Sequence, residues 1–161
     1  MTFSLSPVLD PDAAPADTRT SARSRVLRDG QDTGLVLQGL WLEAQFMIGE
    51  EALLFVTHNV PYEEQLDLCL ISAGNVLKDR LSLAWIYSTG IFSDARVVGK
   101  RSIVFSFFAD AFWRVDVLPT PGWRLPLVSE PRGVWRRFGF KRRMVITRLP
   151  GMVSSSSPEG P

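Results

Sequence analysis

From residue 34 onward, apolar and polar residues alternate instead of recurring every three or four positions. Val36, Leu40, Leu42, Ala44, Phe46 and Ile48 fall at even positions, one side of an extended chain. Gly49-Glu50-Glu51 then reads as a turn, and Ala52–His58 is a short apolar run of the buried-strand type. Asn59-Val60-Pro61 interrupts it. Leu66, Leu68 and Leu70 alternate with Gln65, Asp67 and Cys69, the pattern of a half-buried strand. After Ala73-Gly74-Asn75, Leu77, Asp79, Leu81, Leu83 and Trp85 continue the alternation. Three further strands are predicted at 95–98, 102–108 and 112–118, and no central segment of twelve or more residues carries a helical period.

Short strands at roughly ten-residue spacing predict an all-β single domain. We expect seven to nine mainly antiparallel strands over residues 24–149, forming a sandwich or a barrel-like meander. Residues 1–23 are rich in Pro, Ala, Ser, Thr and Asp, and 150–161 in Ser, Gly and Pro. Both are expected to be disordered tails, because they hold little apolar surface to offset ordering entropy.

One internal similarity stands out. Phe46–Phe55 aligns with Arg96–Phe105 at an offset of 50: strand, glycine with two charged residues, then a strand centred on Phe. The strands that follow match loosely, Asp67–Ile71 against Val115–Leu118. Two such units are too few to close a propeller but suffice for a pseudo-duplicated pair of sheets or a single barrel.

Composition narrows the chemistry. The chain has 161 residues, of which 45% are hydrophobic and 22% charged, enough for one domain with a real core. A single cysteine, Cys69, and a single histidine, His58, exclude an intrachain disulfide and a zinc site built from these ligands. No apolar run approaches the roughly 20 residues of a membrane-spanning helix. The N-terminal residues lack a basic region followed by an apolar stretch, so a cytoplasmic protein is expected. There is no G-x-S-x-G, no P-loop and no G-x-G-x-x-G, so neither a serine-hydrolase elbow nor a bound cofactor is expected.

Two constellations remain. His58, Tyr62, Glu63, Glu64 and Asp67 surround the break between two strands. A histidine with nearby carboxylates is the raw material of a general base, and Cys69 in the next strand is a candidate nucleophile for a small hydrolase. The same groups equally suit a solvated hairpin loop, and a lone cysteine in a strand equally suits packing.

The second constellation follows from charge. The net charge of +1 conceals −1 over residues 1–33, −4 over 34–118 and +6 over 119–161. Within the basic block, Trp135, Arg136, Arg137, Phe138, Lys141, Arg142 and Arg143 concentrate aromatics and cations. Such a mixture suits a protein partner, with aromatic anchors and Arg–carboxylate pairs. It also suits a polyanion, either nucleic acid or an anionic membrane surface. Read as a strand, the same segment places Val134, Phe138, Phe140, Met144 and Ile146 on one face, broken by Arg136 and Arg142. In that case it forms a last strand, or covers the acidic central block within the molecule. Phe105, Phe107, Phe108, Phe112, Trp113 and Trp123 add aromatic weight expected mainly in the core. The reading that results is a non-enzymatic protein-interaction module of the adaptor, regulatory-subunit or inhibitor kind. Polyanion binding is the alternative and a His58 hydrolase the third.

Overall fold

The computed structural model describes residues 1–8, 22–58, 64–84, 90–108, 111–123, 130–136 and 141–150. Within them lie twelve strands and no helix: β1 Phe3–Val8, β2 Arg23–Arg28, β3 Gln31–Gln38, β4 Trp41–Ile48, β5 Glu51–Thr57, β6 Gln65–Ile71, β7 Leu77–Ala84, β8 Ser93–Gly99, β9 Ser102–Ser106, β10 Phe112–Trp123, β11 Val134–Trp135 and β12 Lys141–Leu149. All the pairings are antiparallel. The strands form three sheets, ordered β1-β2-β3, β11-β7-β6-β5-β4 and β12-β10-β9-β8. The all-β class is as the alternation predicts.

Two apolar layers hold the sheets together. On one face of the five-stranded sheet, Leu53, Phe55, Leu66, Leu68, Leu70, Leu81 and Leu83 pack against Ile103, Phe105, Trp113, Val115, Met144 and Ile146 of the four-stranded sheet and against Phe107, just beyond the end of β9. On its other face, Ala52, Leu54, Val56, Cys69 and Ile71 pack against Phe3, Val26 and Leu37 of the three-stranded sheet. The five-stranded sheet is therefore the middle layer, and β5 and β6 are buried on both faces. The half-buried reading of 65–71 is corrected by this: the face bearing Asp67 and Cys69 is roofed by β1–β3.

The same layer corrects the N-terminal boundary. Phe3–Val8 is a strand, not a tail, because Phe3 supplies core to the second layer and its N–H donates to Gln45 Oε1 at 2.8 Å. Residues 9–21 and 151–161, the remainder of the expected tails, lie outside the described residues, apart from 22, 23 and 150.

The continuous row from Val36 to Ile48 is split by Gly39. Its φ is +111°, and a Cβ there would stand 2.5 Å from Val56 Cγ1, so only glycine lets the chain cross from one sheet to the next. Beyond it a bulge between Leu42 and Ala44 inverts the side-chain alternation. Leu42 consequently joins the second layer while Ala44, Phe46 and Ile48 join the first.

The offset-50 similarity has a spatial counterpart. Phe55 and Phe105 meet edge-to-face with ring centroids 5.1 Å apart. Glu51 and Arg101 form an ion pair at 3.0 Å, and Leu53 and Ile103 share the same core. Contact between equivalent positions is the mark of a two-fold, isologous relation. The strand register refines the loose match that follows: Leu68 lies opposite Phe55 as Trp113 lies opposite Phe105, and Leu70 opposite Leu53 as Val115 opposite Ile103. The likeness ends at the outer strands, where two bulges in β8 leave Val97 and Val98 exposed.

Candidate functional site

Where β7 of the middle sheet approaches β12 of the four-stranded sheet, charged side chains replace apolar ones. Asp79 occupies the row of β7 that continues as Leu81 and Leu83. Its Oδ2 accepts from Arg136 Nη1 at 3.0 Å and from the backbone N–H groups of Arg143 and Met144, both at 2.8 Å. Arg136 Nη2 also donates to the Met144 carbonyl at 2.6 Å. Glu130 accepts from Arg142 Nη1 and lies 2.9 Å from Arg136 Nε. Arg143 reaches across to Glu51 at 2.8 Å and to the Leu118 carbonyl at 2.9 Å, and Arg101 shares the same Glu51 oxygen. A carboxylate thus closes the edge between two sheets that share no strand ladder there.

This arrangement locates the seven residues singled out in the basic segment. Arg136, Arg142 and Arg143 point inward and are paired with Asp79, Glu130 and Glu51. Arg136 and Arg143 cover the acidic central block at Asp79 and Glu51, and Arg142 pairs with Glu130 of its own basic block, so their guanidiniums are not a free outer surface. Trp135 and Lys141 are exposed, and Arg137 and Phe138 lie outside the described residues. Trp123 is exposed as well, paired with Lys141 in the ladder, and Lys141 Nζ lies 5.7 Å from its ring. The other five late aromatics, Phe105 to Trp113, are core.

The carboxylates Asp79, Glu51 and Glu130 were not singled out in the sequence. The available signal was Asp79 interrupting a leucine row, matched by Arg136 and Arg142 interrupting another.

The histidine constellation is a buried knot at one end of the second layer. His58 Nε2 donates to Asp67 Oδ2 at 2.8 Å, Arg80 Nη2 to the same oxygen at 2.5 Å, and Gln65 Nε2 to Oδ1 at 3.0 Å. Ser82 Oγ also donates to Oδ1. Glu64 accepts from the His58 backbone N–H at 3.2 Å, while Tyr62 and Glu63 lie outside the described residues. The acid stands between the serine and the imidazole. The serine hydroxyl is hydrogen-bonded to the carboxylate, with the imidazole on that carboxylate's other oxygen, which is not the serine–imidazole–carboxylate order of a nucleophile–base–acid relay.

Burial by itself pushes the Asp67 carboxyl up. The hydrogen bond from His58, the Arg80 charge and the hydrogen bonds from Ser82 and Gln65 outweigh it, and the carboxyl sits below its ordinary 3.8. A lowered folded value means the contribution is complete above pH 3.8 and is lost as pH falls below it. Urea midpoints of the wild type are expected to fall between pH 4 and pH 3 more steeply than those of Asp67→Asn. Parallel profiles in the two proteins would show that Asp67 is not a source of the acid sensitivity.

Cys69 is fully buried on the same face, and burial pushes its thiol up to about 12. The thiolate needed for nucleophilic attack is therefore nearly absent at neutral pH. Iodoacetamide at pH 8 is expected to leave the folded protein unmodified and to alkylate one thiol in urea. Rapid labelling of the folded chain would contradict this burial.

Among the described residues, no group of three or more His, Cys, Asp or Glu side chains is placed to hold a metal, and no helix is long and apolar enough to cross a membrane. Comparisons of the chain with protein-family models, with curated proteins and with solved structures find no match.

Proposed function

We propose that the chain is a non-enzymatic protein-interaction module whose partner docks on the surface formed by Trp123, Trp135 and Lys141. The observation that carries this reading is the exposure of the two tryptophans, 75% for Trp123 and 66% for Trp135, in a molecule that buries its other large aromatics of β9 and β10. Exposed tryptophan is the side chain most often found as an interface anchor. Lys141 is the ladder partner of Trp123, and only the chain from 135 to 141 separates it from Trp135. That length spans at most about 20 Å, so the three groups fit within one ordinary interface.

The polyanion reading draws less support from this geometry. Three of the arginines on which it depends are neutralised by carboxylates of the same chain, which lowers the charge offered to phosphates. The hydrolase reading draws less still, since Asp67 occupies the centre of its cluster.

The test is affinity purification of the full chain from its own cells at moderate and high salt, comparing wild type with Trp123→Ser, Trp135→Ser and Trp41→Ser. A stoichiometric protein that survives high salt is expected, with binding weakened at least about 30-fold by either of the first two substitutions, equivalent to about 2 kcal/mol. Trp41, exposed on a different strand, should be dispensable. Recovery of nucleic acid or anionic lipid released by modest salt, with no discrete protein, would replace this reading by the polyanion one.

A further inference from the structure

The middle sheet has five strands, and the sheet that roofs one of its faces has only three. β1 meets β4, where the Phe3 N–H donates to Gln45 Oε1 at 2.8 Å, and β3 meets β7, where Arg80 Nη2 donates to Gln38 Oε1 at 2.8 Å. The roof therefore ends at β7. Ile71 of β6 and Leu77 of β7 are ladder partners on one face, yet Ile71 is fully buried and Leu77 is 37% exposed. One strand further, Trp135 lies opposite Ser82, whose hydroxyl donates to Asp67 on that same face. The face beyond β3 is thus an open shelf that carries Leu77 and the exposed Trp135.

The wall of this shelf is a strand with an open edge. Among the described residues, β3 pairs with β2 alone. The Gly39 N–H donates to the Ala22 carbonyl at 2.7 Å, and antiparallel ladder bonds recur at every second residue. Leu37 therefore turns its backbone groups towards β2, while Val36 and Gln38 turn theirs outward. Val36 is also 51% exposed. An open edge of this kind is a template for a further strand.

The charge of the shelf selects what adds to it. Arg80 is 28% exposed, and Lys78, next to Leu77, and Arg132, in the approach to β11, are exposed. The neighbouring acids face elsewhere. Asp67 is fully buried beneath Arg80, and Asp79 and Glu130 are held by Arg136 and Arg142 on the other side of the sheet. Asp32, at the start of β3, is paired with Arg25.

We propose that an extended, acidic segment of a protein partner adds to β3 as a fourth roof strand. Its backbone pairs with Val36 and Gln38, its apolar side chains meet Leu77 and Trp135, and its carboxylates meet Lys78 and Arg80. This rests on the protein-partner reading and names the chemistry of the segment that meets Trp135.

The test selects random twelve-residue peptides, displayed on phage, against the immobilised full chain at low salt. The enriched peptides are expected to alternate apolar and acidic residues. Trp135→Ser should weaken their binding at least about 30-fold and Lys78→Glu about 10-fold, while Trp41→Ser leaves it unchanged. Amide hydrogen exchange in the complex should slow at Val36 and Gln38. Val36→Pro removes an N–H that the β2–β3 ladder does not use, so the chain should keep its fold and lose the peptide. Should that variant unfold, exchange at Val36 and Gln38 in the wild-type complex decides. No enrichment, enrichment of basic or uncharged peptides, or unchanged exchange at these two amides would each overturn the proposal. A concentration-dependent dimer that Val36→Pro dissolves would overturn it as well, by giving the edge to a second copy of the chain. Failure here is separable from failure of the partner reading. A stoichiometric protein captured from cells that needs Trp135 but leaves Val36 and Gln38 exchanging freely keeps that reading and removes this one, whereas recovery of nucleic acid alone removes both.

Discussion

Asp79→Ala is expected to destabilise the protein by about 3–5 kcal/mol, the cost of breaking a buried ion pair by removing one partner. The wild-type carboxylate serves Arg136 and two backbone N–H groups of β12 at once, and the two sheets meet there without a shared ladder. Alanine leaves all three donors facing a space that holds no acceptor. In a chain of this size the loss corresponds to a fall in Tm of about 10 °C. Asp79→Asn, which keeps one acceptor oxygen but not the charge, should fall between wild type and alanine. Urea denaturation of the three proteins measures the series. If Asp79→Ala melts within about 2 °C of wild type, the carboxylate does not hold the sheets together, and the apolar layer between them does so without it.

The second large effect is expected at the centre of the first apolar layer. Phe55→Ala should cost about 3–5 kcal/mol, as is usual for removing a fully buried phenyl ring. Phe105, its equivalent in the second half, should cost a similar amount. The two rings touch each other and both approach Phe92, at 5.2 Å from Phe55 and 5.9 Å from Phe105. Their effects should therefore not add. A double-mutant cycle with Phe55→Leu and Phe105→Leu, chosen so that the double variant still folds, is expected to show about 1 kcal/mol of coupling. The control pair is Phe55→Leu with Phe3→Leu. Phe3 belongs to the other layer, across the middle sheet, and its effect should add to that of Phe55. Additivity within the Phe55–Phe105 pair would argue that the halves pack as unrelated sheets and that the offset-50 likeness has no energetic content.

Much of this architecture is legible in the amino-acid pattern. Alternation at 65–71, 77–84 and 102–106 marks strands that the structure contains, and the apolar run at 52–58 marks one buried on both faces. The glycine turns at Gly49 and Gly99 place two hairpins, and the likeness between them points to the packed halves. Other features are illegible. Asp67 resembles a residue of a wet strand face, and nothing local says that β1–β3 cover it. Its burial depends on His58, Arg80 and Ser82, which arrive from neighbouring strands. Phe3–Val8 sits at the start of a polar, proline-containing stretch, and its strand exists because β2 and Gln45 are there to receive it. The basic segment was legible as a concentration of charge, while the inward direction of Arg136, Arg142 and Arg143 was signalled only by the apolar rows they interrupt.

The period of two is a property of the extended backbone, so the two faces of most central strands and most of their turns are determined by the sequence alone, within a few residues, except where a bulge such as that between Leu42 and Ala44 inverts them. Which layer covers each face, and which charge meets which, is decided by tertiary structure. Asp79 finds the Arg143 N–H 64 residues away, and Arg143 finds Glu51 across 92. Such pairings form only when distant strands are brought side by side, and no local pattern of polar and apolar residues contains that distance.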